Sequence, residues 1–240
     1  MLIILPLIAI LTSLISGAVG MAGGVLLLSA MSFFMDYRLL IPIHGIIQLV
    51  SNSSRAFYLK GKLRKEIILP YLIGAPIGGL ISYFILNQIQ KPTFFYGLLG
   101  LFILYTVFKP KKFPEIRLNK FGWFILGIGA SIQSALLGAS GPLVAIFYMR
   151  SDISKEEIVA NKALQQFISH FLKIPLFIGL SFDYVGNGLL ISLMSFGAVA
   201  GTYLGVNVLK KMDDSRFKII FKIFLLIAAT RLFYKFAINL

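Results

Sequence analysis

The chain has 240 residues, of which 58% are hydrophobic, with mean hydropathy +0.88, a formal charge of +14 and no cysteine. A soluble domain runs nearer ~45–50% apolar, so the composition excludes a water-soluble globular protein and indicates one that lives in a bilayer. No disulfide or thiolate metal site can form, and the positive charge does not signal nucleic acid, because most basic residues fall in short loops between apolar runs, where they set orientation and meet anionic lipid.

Apolar runs occupy residues 1–35, 38–58, 67–87, 93–108, 121–149, 157–180, 184–208 and 217–238. They are continuous rather than alternating, which predicts helices and not barrel strands. Met1 to Ile15 carry no basic residue, so the first run is expected to be a retained helix and not a cleaved signal. That run is interrupted at Gly20-Met21-Ala22-Gly23-Gly24. The second contains His44, Gln48, Asn52 and Arg55, spaced i, i+4, i+8 and i+11. At 100° per residue these four share an arc of about 80° on one helix face. The third carries Gly74 and Gly78, a small-xxx-small face for close helix contact. A basic linker, Lys109 to Asn119, follows the fourth.

Beyond the linker the pattern returns. The fifth run is interrupted at Gly138-Ala139-Ser140-Gly141-Pro142, at an offset of 118 from the first break, with Gln133 and Ser134 just ahead of it. Lys162, Gln166, His170 and Lys173 repeat the polar stripe at the same offset. Gly197 and Gly201 echo Gly74 and Gly78 at an offset of 123. The fold expected is an all-α polytopic membrane protein of two repeats, 1–108 and 120–240, joined by residues 109–119. Each repeat has a Gly-broken helical hairpin plus three transmembrane helices. Loops 59–66, 109–122, 150–155 and 210–222 hold 4, 5, 2 and 5 Lys/Arg and belong on the cytoplasmic side. Three net crossings per half then make the second repeat inverted. Arg231 and Lys235 fall on the outer side in this scheme, against the charge rule.

All nine acids lie in or beside loops. The ionisable groups of the stripes are His44, Arg55, Lys162, His170 and Lys173, a neutral-to-cationic set that favours an anion. Paired breaks in two halves point to a site made by discontinuous helices, whose half-helix N-termini attract an oxyanion. The expected substrate-binding set is therefore Gly20, Gly23, Gly24, Gln133, Ser134, Gly138, Ser140 and Gly141 with the eight stripe residues. No cofactor or metal is expected. Imidazole titrates near neutral pH, so His44 and His170 offer a means of coupling proton or other ion movement to the anion. Plainer roles compete: Arg55 and Lys162 snorkelling to the surface, the histidines as hydrogen-bonded core, the amides as interhelical contacts, and the glycines as packing sites alone. Joint recurrence at one offset favours the functional reading.

At these residues the chain resembles the sulfite exporter TauE/SafE family, also called the 4-toluene sulfonate uptake permeases. The resemblance rests on the two-fold repeat, the Gly20 to Gly24 break, His44 to Asn52 followed by Arg55, and Asn161-Lys162-Ala163 leading to Gln166 and His170. It implies a multi-pass inner-membrane carrier for sulfite, organosulfonates or related anions, driven by potential or ion gradients. Two rival readings come from other classes. Gly138-Ala139-Ser140-Gly141 looks like the serine motif of a rhomboid protease, with His170 as base. A non-transporting scaffold subunit is the other.

Overall fold

The computed structural model describes residues 1–19, 23–89, 115–141 and 152–208, with positions 94, 97, 98, 100, 101, 104, 108, 144, 147, 148, 226, 229, 230, 233, 234, 236 and 237. Every regular element among them is helical: α1 (Ile4–Val19), α2 (Gly23–Met31), α3 (Tyr37–Tyr58), a short 3-10 turn (Lys60–Lys62), α4 (Lys65–Gln88), α5 (Lys120–Leu137), α6 (Lys155–Phe171), α7 (Lys173–Gly179) and α8 (Gly188–Val208). Gly20, residues 109–114 of the linker, Lys91, the 210–222 loop, Arg231 and Lys235 lie outside the described residues.

Local chemistry sets the ends of these helices. The Asn119 side chain accepts from the Gly122 N–H at 2.8 Å and starts α5, and Gly138 stops it in the left-handed region at φ 83°. A side chain there would be strained by backbone conformation alone, and its Cβ would lie 2.8 Å from Leu28 and 2.9 Å from Ile41. α6 opens with a capping box in which Ser154 and Glu157 satisfy each other's backbone N–H groups. The 157–180 run, expected as one helix, is interrupted at Leu172, one residue before Lys173. Pro175 lies four residues past Phe171, where α6 ends, a spacing at which a proline ring crowds the carbonyl.

Three long contacts hold the bundle: α1 on α8, α4 on α5, and α3 on α6. The first two are made by glycines against backbone. A Cβ on Gly78 would fall 2.2 Å from the Ile128 carbonyl oxygen, and one on Gly201 would fall 2.1 Å from that of Ile10. Gly78 and Gly201 differ by 123 positions, while Ile10 and Ile128 differ by 118. Corresponding glycines therefore meet corresponding carbonyls, each across from one half of the chain to the other. The described residues of 94–108 and 226–237 are helical and touch, Gly97 against the Phe236 ring and Gly100 against Phe233.

The outside of the bundle is apolar. Ile73, Leu80 and Phe84 of α4 and Leu189 and Phe196 of α8 are 60–80% exposed, a surface a water-soluble protein would hide. Lys65–Gln88, Lys120–Leu137 and Gly188–Asn207 are long and apolar enough to cross a membrane. α3 is 22 residues long, but its polar stripe lowers its apolarity.

Candidate functional site

The polar stripes face each other in the interior. His44, Gln48, Asn52 and Arg55 on α3 are each at most 3% exposed, as are Lys162 and His170 on α6 and Lys173 opening α7. Burial at 1% excludes surface snorkelling for both Arg55 and Lys162. The rings of His44 and His170 meet edge to face with centroids 5.7 Å apart.

Between the stripes is a cavity of about 10 Å³, lined by Ser16, Gly24, Val25, His44, Gln48, Ala139, Gly141, Gln166 and His170. That volume holds about one water-sized sphere. Both glycine breaks reach it, since Gly24 belongs to the first turn of α2 and Gly141 to the second break. The chain resumes a helix there, with the Val144 N–H donating to the Ser140 carbonyl at 3.1 Å. Gly23 does not line the cavity; it seats α2 on α1, where a Cβ would meet the Thr12 carbonyl oxygen at 2.0 Å. Gly24 leaves room for Gln48, whose Oε1 would be 2.9 Å from an added Cβ.

His44 is fixed by the first break. Its Nε2 lies 2.8 Å from the Gly24 carbonyl oxygen, which only accepts, so Nε2 carries the hydrogen and Nδ1 is the lone-pair nitrogen of the neutral ring. The Gly138 carbonyl of the second break also faces His44, but outside hydrogen-bonding geometry for Nδ1. That carbonyl accepts instead from Lys173 Nζ at 2.8 Å. Gly45 makes way for the lysine stem, with Lys173 Cδ 3.2 Å from where a Cβ would be.

Arg55 plays the matching part in the other half. Its Nη1 donates to the Ser16 carbonyl in the last turn of α1 at 3.3 Å, its Nη2 to Asn52 Oδ1 at 2.7 Å, and its Nε lies 3.4 Å from the Ser51 carbonyl. Lys173 and Arg55, 118 positions apart, thus each place a cation at the C-terminal end of a broken helix, where the macrodipole is negative. Of the expected residues, the cavity gathers Gly24, His44, Gln48, Gly141, Gln166 and His170. Asn52, Arg55, Gly138, Lys162 and Lys173 are buried but do not line its wall. Gln133, Ser134 and Ser140 do not either; Gln133 Oε1 and the two hydroxyls have no hydrogen-bond partner among the described residues. Ser140 consequently makes no hydrogen bond to His170, and the nucleophile–base contact a serine protease needs is absent in this structure. Ser16 was missed by the sequence reading, although it is the offset-118 counterpart of Ser134.

A second polar cluster ties the Leu59–Arg64 loop to α6. Arg64 donates to both carboxylate oxygens of Glu157, at 2.9 and 3.2 Å, and to the Asp152 carbonyl at 2.8 Å. Fully buried Asn161 accepts from the Arg64 N–H at 2.8 Å and donates to the Lys62 and Glu157 carbonyls at 3.1 and 2.7 Å.

Compared with known proteins, residues 5–232 match a family model described as "Sulfite exporter TauE/SafE". No curated protein matches the chain.

Proposed function

The chain belongs to the sulfite exporter TauE/SafE family, a family of membrane transporters of sulfite or related anions, and on that premise we propose that it is a secondary carrier for a small sulfur-containing anion. The anion binds between the two glycine breaks. Gln48 and Gln166 give it amide donors, His44 and His170 flank it, and the helix restarting at Gly23 and the Gly141 N–H add partial positive charge. The observation that carries this reading is the convergence of both breaks and both stripes on one buried chamber. None of the described residues lining that chamber is an acid, so nothing among them repels an anion or supplies the carboxylates a calcium site uses.

At about 10 Å³ the chamber is smaller than an oxyanion, and the structure is read as a closed intermediate of an alternating-access cycle. The two halves are proposed as inverted repeats, a reading supported by the glycines that meet equivalent carbonyls across the two halves. With the basic loops inside, the Arg64–Glu157–Asn161 cluster is a cytoplasmic latch that opens when the chamber faces inward. The protein is proposed to be a multi-pass protein of a bacterial inner membrane.

The test is counterflow in proteoliposomes. Vesicles preloaded with unlabelled sulfite, methanesulfonate, taurine or thiosulfate take up the same labelled solute. Transient accumulation of at least one of them, absent from protein-free vesicles, is expected. Failure of the whole panel in correctly inserted protein removes the proposal.

A further inference from the structure

We infer that a proton travels with the anion and that it rides on the facing imidazoles of His44 and His170. This rests on the carrier reading of the same chamber and adds its coupling ion.

Two of the buried cations of the stripes are already committed to helix ends. Arg55 holds the end of α1 through the Ser16 carbonyl, and Lys173 holds the end of α5 through the Gly138 carbonyl. Neither lines the chamber wall. The ionisable groups that do line it are His44 and His170, at 0% and 3% exposure. An anion arriving between two neutral imidazoles in a low-dielectric interior needs a compensating charge, and a proton on imidazole is the charge this wall can acquire.

Geometry says where it goes. His44 Nε2–H is donated to the Gly24 carbonyl, which leaves Nδ1 as the basic nitrogen. Nδ1 of His44 and Nδ1 of His170 both lack hydrogen-bond partners among the described residues, an uncommon state for buried ring nitrogens. A proton taken from water with the anion converts the lone pair of His44 Nδ1 into a donor and leaves the Gly24 bond intact. It departs with the anion on the other side, so no net change remains on the protein. The charged groups facing the pair are Lys173, from α7, for both rings, and Arg55, from α3, for His170. Both are cations and no carboxylate is among them in the described residues, so an imidazolium here gains its compensating charge from the anion. Proton and anion binding are thereby mutually reinforcing, which is the thermodynamic content of symport.

The experiment uses the full chain in proteoliposomes with methanesulfonate as probe, because its charge does not change between about pH 5 and 8, and with sulfite in parallel. Counterflow at equal pH first establishes exchange. Then a gradient of one pH unit is imposed with the membrane potential held at zero by valinomycin and equal potassium. One proton per anion predicts about tenfold accumulation on the alkaline side. Exchange without gradient-driven accumulation overturns the coupling and leaves the carrier reading standing; no exchange at all removes the carrier reading itself. In His44→Gln and His170→Gln the ratio of gradient-driven accumulation to counterflow is expected to fall at least fivefold, whereas Arg64→Gln lowers or raises both together. An unchanged ratio in both histidine variants overturns the assignment. Should both lose exchange altogether, internal pyranine in wild-type vesicles decides. Acidification upon net methanesulfonate entry into vesicles that hold none is expected, and a flat pyranine signal during that net entry overturns the proposal.

Discussion

Arg55 and Lys173 illustrate what a single side chain does in a membrane core that offers it no carboxylate. Each is 1% exposed and each ends on a carbonyl at the C-terminal end of a broken helix, so the helix dipole substitutes for a counter-ion. Removing the cation leaves those carbonyls without a donor, at a cost of roughly 1–3 kcal/mol per site. Arg55→Met and Lys173→Met should therefore lower the unfolding temperature of the detergent-solubilised protein by several degrees, with flux per folded molecule falling as well. A loss of flux with wild-type melting would instead place the cation directly on the substrate. Gly138 makes a second residue-scale prediction. Its φ of 83° and its neighbours Leu28 and Ile41 make Gly138→Ala costly by about 1–2 kcal/mol from backbone conformation alone, with overlap added. The variant is expected to insert poorly or melt early, as read by fluorescence-detected size-exclusion after heating. Spacing at 100° per residue was enough to put four side chains on one face. It does not say which meet a cavity and which meet a helix end, because that depends on the element packed opposite.

Two kinds of element-scale junction tie the helices together. The glycine contacts of α4 on α5 and α8 on α1 allow backbones to touch, and Gly201→Leu, which would drive a side chain into the Ile10 carbonyl, should separate α8 from α1 and abolish insertion; normal insertion would show the helices can part cheaply. The Arg64–Glu157 latch is the other. The Arg64 guanidinium, followed by the Ser154 backbone N–H, holds the Glu157 carboxyl at about 2 at the partly exposed first turn of α6, at the loop end of the 157–180 run. A depressed carboxyl contributes its stabilisation in full above its ordinary value near 4.5 and loses it as pH falls toward about 2. The latch thus stays charged between pH 5 and 8. Arg64→Ala should change the rate of exchange while leaving the shape of its pH profile over that range as in the wild type; a shifted profile would mean the latch, and not the chamber, titrates. The break at Leu172 was not anticipated, because the apolar run continues through it. Pro175 carried the signal, four residues beyond the end of α6.

At the scale of the molecule, the offset that recurs through breaks, stripes and glycine faces is the ground, with the paired glycine–carbonyl contacts, on which the two-part architecture is proposed. The described helix ends at Val19 and Leu137 and the helix start at Gly23 fall at the glycine interruptions, because Gly-rich interruptions of apolar helices leave backbone groups that only a cavity or another helix can satisfy. Membership of the site was only partly legible. Gly24, His44, Gln48, Gly141, Gln166 and His170 meet at the chamber, whereas Ser134 and Ser140 sit away from its wall and Ser16 joins it. Side-chain type identifies polarity, but the distance across a helical crossing decides contact. The central claim is that this one chamber is the route of the anion, and Gln48 and Gln166 are its wall residues drawn from corresponding positions of the two halves. The most direct measurement is sulfite and methanesulfonate counterflow in proteoliposomes containing wild type, Gln48→Leu or Gln166→Leu at equal amounts of inserted, monodisperse protein. The account predicts at least a tenfold loss of exchange in each variant. Wild-type exchange in both would contradict it.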